Sequence, residues 1–284
     1  MMSTNKVTIL DIQQAKEENR KLTMVTAYDY PFGLLADEAG IDIVLVGDSL
    51  GMVVMGLEGT VEVNMEHMIH HIRAFTRGCK NPFIVGDMPF MSYNTSIREA
   101  IINAGRLLKE GGCEAIKLEG GVDFAPTIEA IVKAGIPVQG HIGLTPQTAS
   151  ALGGFKMQGR DAAAAKQIID DAKALEDTGV FSMILEAVPA PLGKLVAEAV
   201  SVPVIGIGAG PDVDGQVLVT HDMIGLFDKF VPKFVKQYTN IRKVILNALD
   251  EYKQEVIDVK FPAPEHSFKM PDRALEELKK LIKE

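Results

Sequence analysis

The sequence predicts a single (β/α)8 barrel, with a short helix ahead of it and a helical tail behind it. Three observations carry that expectation. From Lys21 onward, short β-rich apolar runs alternate with longer stretches whose apolar residues recur at three- and four-residue spacing, the pattern of successive βα units in a parallel sheet. Eight such apolar runs are present, the number a closed barrel needs. No Gly/Ser/Pro-rich linker splits the chain at its midpoint, as the two halves of a doubly wound sheet would suggest. The length of 284 residues suits two average domains of about 150 residues, but one barrel of roughly 250 residues with short extensions accommodates it equally.

The elements follow in order. Residues 1–20 read as a short helix capping the bottom of the barrel, and 21–256 as the barrel itself. Strands are expected over 23–27, 43–47, 82–86, 115–118, 136–140, 181–185, 202–207 and 223–226. Helices are expected over 32–38, 65–76, 97–109, 126–133, 161–177, 192–199 and 241–254. Gly40, Gly78, Gly112, Gly135 and Gly179 each stand between a helix and the next strand, where a residue without Cβ accepts the left-handed cap conformation at no steric cost. The tail, 257–284, begins Pro-rich and ends in a charged amphipathic helix over 272–284, suited to packing on a neighbouring subunit.

Composition narrows the function. The chain carries 29 Lys+Arg against 38 Asp+Glu, a net charge of −9, with no dense basic cluster. It would repel a phosphate backbone or an anionic membrane surface, so neither nucleic acid nor membrane is an expected partner. Cys79 and Cys113 are the two cysteines, too few for a disulfide framework or a multi-thiolate zinc site, which points to the cytoplasm. The N-terminus lacks a continuous apolar run of the secretory type. A soluble protein acting on small molecules is expected.

In a barrel the chemistry sits at the C-terminal strand ends, and here those ends are polar. They read Gly47-Asp48-Ser49, Gly86-Asp87-Met88-Pro89, Lys117-Leu118-Glu119, Gly140-His141-Ile142-Gly143 and Leu185-Glu186-Ala187. Carboxylates crowded at one mouth repel unless a cation neutralises them, and oxygen donors on rigid strands select a hard ion such as Mg²⁺. Asp48, Asp87 and Glu119 are therefore candidate metal ligands; the competing role for the two aspartates is capping the helices that follow. Lys117 and Glu119 share a strand face, which suits Lys117 to hold an anionic substrate. A Schiff-base role for Lys117 would need a depressed pKa, and the competing role is a lysine paired to a neighbouring carboxylate. Glu186, after an apolar run, is expected to be partly desolvated and to act as general acid/base, against the alternative of a buried structural glutamate. His141 is a candidate hydrogen-bond donor to substrate, or else a satisfied core histidine. Gly206-Ile207-Gly208-Ala209-Gly210 reads as a tight turn sooner than a phosphate site, because it lacks the spacing of a dinucleotide fingerprint. His67, His70 and His71 fall on an outer helix, and both cysteines precede strands at the stability face.

Taken together, Val46 to Gly51, Gly86 to Met91, Lys117 to Gly121, Gly140 to Gln147 and Leu185 to Pro189, in that order and spacing, closely resemble the ketopantoate hydroxymethyltransferase family. The resemblance runs from about Thr23 to Phe227 and takes in Gly206 to Gly210 and His221-Asp222. It implies a cytoplasmic enzyme of pantothenate biosynthesis that moves a one-carbon unit from 5,10-methylenetetrahydrofolate to 3-methyl-2-oxobutanoate (α-ketoisovalerate), giving ketopantoate. It also implies Asp48 and Asp87 as direct Mg²⁺ ligands beside the keto acid, and Glu119 as the third acidic group, acting directly or through water. Ser49 and Lys117 are implied as substrate contacts, Glu186 as the general acid/base, and a homo-oligomer, commonly a decamer, as the assembly. The chemistry is coherent on its own terms, since a 2-keto acid can chelate Mg²⁺ and so ease loss of the adjacent C–H proton. The nearest alternative is another Mg²⁺-enolate barrel, a lyase of the phosphoenolpyruvate mutase and isocitrate lyase type. A non-catalytic binding barrel is the alternative from another class, and it has no need of three acids at its mouth.

Overall fold

Leu22, Met24 and Thr26 alternate with Thr23 and Val25 along the first strand and are buried where the latter two are not; that period of two decides which side chains fill the barrel. In the computed structural model, which describes residues 5–151 and 153–282, eight parallel strands close in sequence order. They are β1 (Leu22–Thr26), β2 (Ile43–Val46), β3 (Phe83–Asp87), β4 (Ala115–Glu119), β5 (Val138–Gly143), β6 (Ser182–Glu186), β7 (Val204–Ile207) and β8 (Gly215–Leu218). Closure is completed by β1 against β8, with Leu22 beside Gly215 and Met24 beside Val217.

Helix α1 (Ile9–Glu17) precedes the barrel and caps its lower end. Thr8 and Asp11 form a reciprocal capping box that fixes its start. Ile12 and Ala15 then pack with Leu22, Met24, Ile43, Phe83, Val85 and Ala115, the apolar filling of the barrel interior. A second, larger apolar layer lies outside the strands, beneath α2 (Tyr30–Glu38), α4 (Met65–Thr76), α5 (Ile97–Arg106), α6 (Ala125–Lys133), α7 (Ala162–Asp177) and α8 (Ala190–Ala199). A short α3 (Leu50–Val53) follows β2. The first seven strands fall within a few residues of the positions expected from sequence.

The eighth does not. The expected strand at 223–226 falls on the end of α9 (Thr220–Met223) and the turn after it, and the true closing strand is Gly215–Leu218. Residues 208–214 connect β7 to β8 without a crossover helix, with Gly208 and Gly210 at positive φ, consistent with the turn reading of that glycine-rich segment. Gly215 permits the close approach that shuts the barrel: a Cβ there would lie 2.6 Å from the Leu22 carbonyl oxygen. The sequence GQVL offers little apolar signal, whereas the stronger run after it belongs to a helix and turn.

Beyond α9 the chain leaves the barrel wall. Helices α10 (Ile241–Ile257) and α11 (Asp272–Leu281) bury none of their residues, although 241–254 was expected to complete the barrel. The expected limits of the cap and tail include residues 1–4 and 283–284, which lie outside the described residues. No helix among the described residues is long and apolar enough to cross a membrane.

Candidate active site

Inward positions of the middle strands change character from bottom to top. On β3 they run Phe83, Val85, Asp87, on β4 Ala115, Lys117, Glu119, and on β6 Ser182, Ile184, Glu186, by the two-residue period. The lower layer is therefore mostly apolar and the upper one carries charge. Register aligns that charge: Asp87 pairs with Lys117, and Glu119 with His141. Asp87, Glu119, His141 and Glu186 stand at or near the ends of their strands, which run one to three residues further than the sequence limits.

The charged side chains touch. Lys117 Nζ donates to both Asp87 oxygens, at 2.9 and 2.8 Å, and lies 3.5 Å from Glu119 Oε1. The Asp48 backbone N–H donates to Asp87 Oδ2 at 3.1 Å, and Gln147 Nε2 donates to Asp48 Oδ2 at 2.8 Å. The Gln147 N–H in turn donates to Glu119 Oε2 at 3.0 Å. His141 sits between two acids, with Nε2 3.2 Å from Glu186 Oε2 and Nδ1 3.5 Å from Glu119 Oε1. Neither approach is aligned as a hydrogen bond, so both ring nitrogens and Glu119 Oε1 remain without hydrogen-bond partners. Neither aspartate caps a helix: α5 is capped by the Ser96 side chain, and α3 begins at Ser49 without a side-chain cap.

One ammonium and one imidazole face four carboxylates, in a place where water screens little. Burial alone would discharge Lys117, but the surrounding charges of Asp87, Glu119 and Asp48 outweigh it and hold the ammonium well above its ordinary pKa. That is the reverse of what a Schiff-base lysine needs. Burial and Lys117 also work against a charged His141, and the carboxylates of Glu119 and Glu186 overcome them, lifting it to about 9. The surplus of negative charge is felt at Asp48, whose burial and proximity to Asp87 hold its pKa well above the usual carboxylate range.

A cation would relieve that surplus. Among the described residues no three His, Cys, Asp or Glu side chains close around one point, so the three acids do not form a ready-made cage. The donor set nevertheless fits Mg²⁺, which holds to one or two carboxylates and fills its remaining positions with water and substrate oxygens. Asp48 and Asp87 are the adjacent pair for that purpose, and Glu119 is drawn instead toward Lys117, His141 and the Gln147 backbone.

These groups line a cavity that, with its open mouth, spans about 1020 Å³. Asp48, Ser49, Asp87, Lys117, Glu119, His141 and Glu186 all border it. Residues not singled out from sequence shape it too. Tyr28, wholly buried, joins Thr26 Oγ1 at 2.7 Å to Ser49 Oγ at 2.9 Å, and Phe155, Phe227, Phe230 and Phe234 form an apolar rim. Gln147 stands in the Leu-Thr-Pro-Gln run that contributes to the resemblance, which was the available signal for it; the phenylalanines lie on loops that have no periodicity to read.

A sequence model of the family described as "Ketopantoate hydroxymethyltransferase" matches residues 6–264. The chain belongs to that family. Relatives named 3-methyl-2-oxobutanoate hydroxymethyltransferase include one from Moorella thermoacetica, 56% identical over 95% of this chain and 100% of its own, and one from Enterococcus faecalis, 54% identical over 96% and 99%. Membership in the hydroxymethyltransferase family makes the chain an enzyme, a transferase. Solved structures share the fold at low identity. Phosphonopyruvate hydrolase in complex with oxalate and Mg²⁺ superposes with a TM-score of 0.62 at 13% identity, covering 92% of this chain and 93% of its own. The 2,3-dimethylmalate lyase of the phosphoenolpyruvate mutase/isocitrate lyase superfamily gives 0.58 at 12%, covering 97% and 95%. The lyase alternative thus keeps the architecture, while family membership places this chain among the hydroxymethyltransferases.

Proposed function

We propose that the chain transfers a hydroxymethyl group from 5,10-methylenetetrahydrofolate to 3-methyl-2-oxobutanoate, giving 2-dehydropantoate (ketopantoate), with Mg²⁺ held by Asp48 and Asp87. The observation that carries this reading is the buried surplus of carboxylates around one ammonium, in a chain whose relatives bear the corresponding enzyme name. When bound, the ion supplies charge that favours loss of the C–H proton beside the keto group.

The chain's own residues do the rest. Lys117, fixed by both Asp87 oxygens, presents a permanent positive charge to the carboxylate of the keto acid. Ser49 is held by Tyr28 as a second polar contact. Glu186, with 15% of its side chain exposed and His141 3.2 Å away, takes the substrate C–H proton. Glu119 lies beside His141 and would add a third negative charge near a bound ion.

We assign the enzyme to pantothenate biosynthesis in the cytoplasm, and to a homo-oligomer, commonly a decamer in this family. A second copy of this chain is the partner best suited to α10, whose Val244, Leu249, Tyr252 and Ile257 are each more than half exposed. The barrel wall beside β1 meanwhile keeps an open apolar groove lined by Val25, Phe32, Leu35, Ile41 and Met223, where the final helix of a barrel would pack.

The test is proton exchange. With Mg²⁺ present in deuterated water, the enzyme should replace the C3 proton of 3-methyl-2-oxobutanoate, and a chelator should stop it. Absence of exchange at saturating metal would remove the enolate chemistry from the account.

A further inference from the structure

The site described so far uses the β2 to β6 side of the mouth. Its opposite side, formed by β7, β8 and the loop after α9, has a different composition. Phe227, Phe230 and Phe234 gather there, with Phe155 also at the rim. One acid stands among them. Asp222 borders the same cavity, is only 7% exposed, and its Oδ1 is fully buried without a hydrogen-bond partner.

Every other acid at the mouth has a positive or N–H partner within the protein. Among the described residues Asp222 has none: burial alone lifts its pKa, to about 6. It is near enough to Tyr28 for its charge to push the phenol upward, and Tyr28 in turn touches Ser49, so Tyr28 links the two sides of the mouth. A buried carboxylate without donors is costly unless something supplies them. His221 beside it does not, since its own Nδ1 is also unpartnered.

We propose that Asp222 is the anchor for the pterin of the folate co-substrate, its remaining carboxylate oxygen accepting a hydrogen bond from the 2-amino group of the pyrimidine ring while the phenylalanines cover the ring face. This inference rests on the folate reading given above. The chemistry matches in three respects. The exocyclic 2-amino group of a 2-amino-4-oxopyrimidine is an N–H donor, and a carboxylate oxygen is a strong acceptor for it. A flat bicyclic ring requires apolar and aromatic walls. The anchor shares a cavity with Lys117 and Glu186, so both substrates reach one mouth.

The experiment compares two ligands by titration calorimetry, with Mg²⁺ and 3-methyl-2-oxobutanoate present. Tetrahydrofolate should bind the unaltered enzyme about 10- to 100-fold more tightly than its 2-desamino analogue, the range expected of hydrogen bonds to a charged group. Asp222→Asn should bind tetrahydrofolate more weakly and lose most of that preference. Equal binding of the two ligands by the unaltered enzyme, or a preference kept intact in Asp222→Asn, would overturn the assignment. If Asp222→Asn does not fold, Asp222→Ser takes its place in the same comparison, with the same outcomes expected. Failure to bind tetrahydrofolate at all would instead strike the folate reading itself.

Discussion

Lys117 Nζ lies 2.9 and 2.8 Å from the two carboxylate oxygens of Asp87, and neither side chain is more than 4% exposed. A buried pair of this kind is tolerated because each charge answers the other, and removing one partner strands the remainder. Lys117→Met leaves three acids at the mouth without their ammonium. It should cost about 3–5 kcal/mol in denaturant unfolding, and added Mg²⁺ should recover part of that loss.

Glu186 occupies a different position, near the opening and beside His141. Glu186→Gln keeps the shape but cannot accept the proton. Exchange of the keto-acid proton should fall by roughly 10²- to 10⁴-fold, the usual contribution of a positioned base, while stability and the response to Mg²⁺ stay near those of the unaltered enzyme. Full turnover in this variant would remove Glu186 from the reaction and leave the metal site standing.

Burial at Asp222 has a consequence for stability. Its pKa rises from 3.8 to about 6 on folding, so the folded state binds a proton more readily than the unfolded chain between those values. Stability is therefore undiminished below about pH 4, declines as the pH rises toward 6, and carries the full penalty above it. Asp222→Asn removes the charge. Relative to the unaltered enzyme, it should gain about 2–3 kcal/mol between pH 4 and pH 7.5, measured by urea unfolding without folate.

Cys79 and Cys113 are buried, and burial pushes each thiol up to about 12. Few thiolates exist at neutral pH. In the folded enzyme neither should react with a thiol reagent at pH 8 on the timescale of minutes, and both should react in denaturant.

How much of this was legible beforehand follows from periodicity. Asp87, Lys117, Glu119 and Glu186 stand on strands whose alternating pattern both marks the strand and says which side chain faces in. Tyr28 and the phenylalanine rim lie in loops, where neighbours in sequence carry no information about neighbours in space, and Asp222, on a single helical turn, was marked by the resemblance but not by any period. Gln147 sat in a recognised run of residues, but its two contacts, to Asp48 and to the Met88 carbonyl, span the whole barrel mouth. The closing strand was missed for a related reason. Gly215 is there so that β1 can come close, and a residue chosen for its lack of a side chain leaves no apolar mark. The fate of α10 was hidden as well, because an amphipathic helix reads the same whether its apolar face meets its own barrel or another chain.

The central claim is the reaction itself. The most direct measurement supplies the enzyme with 3-methyl-2-oxobutanoate and 5,10-methylenetetrahydrofolate and follows 2-dehydropantoate, with Mg²⁺ and then with excess chelator. Product should accumulate with the metal and cease without it. No product at saturating Mg²⁺ and both substrates would contradict the account.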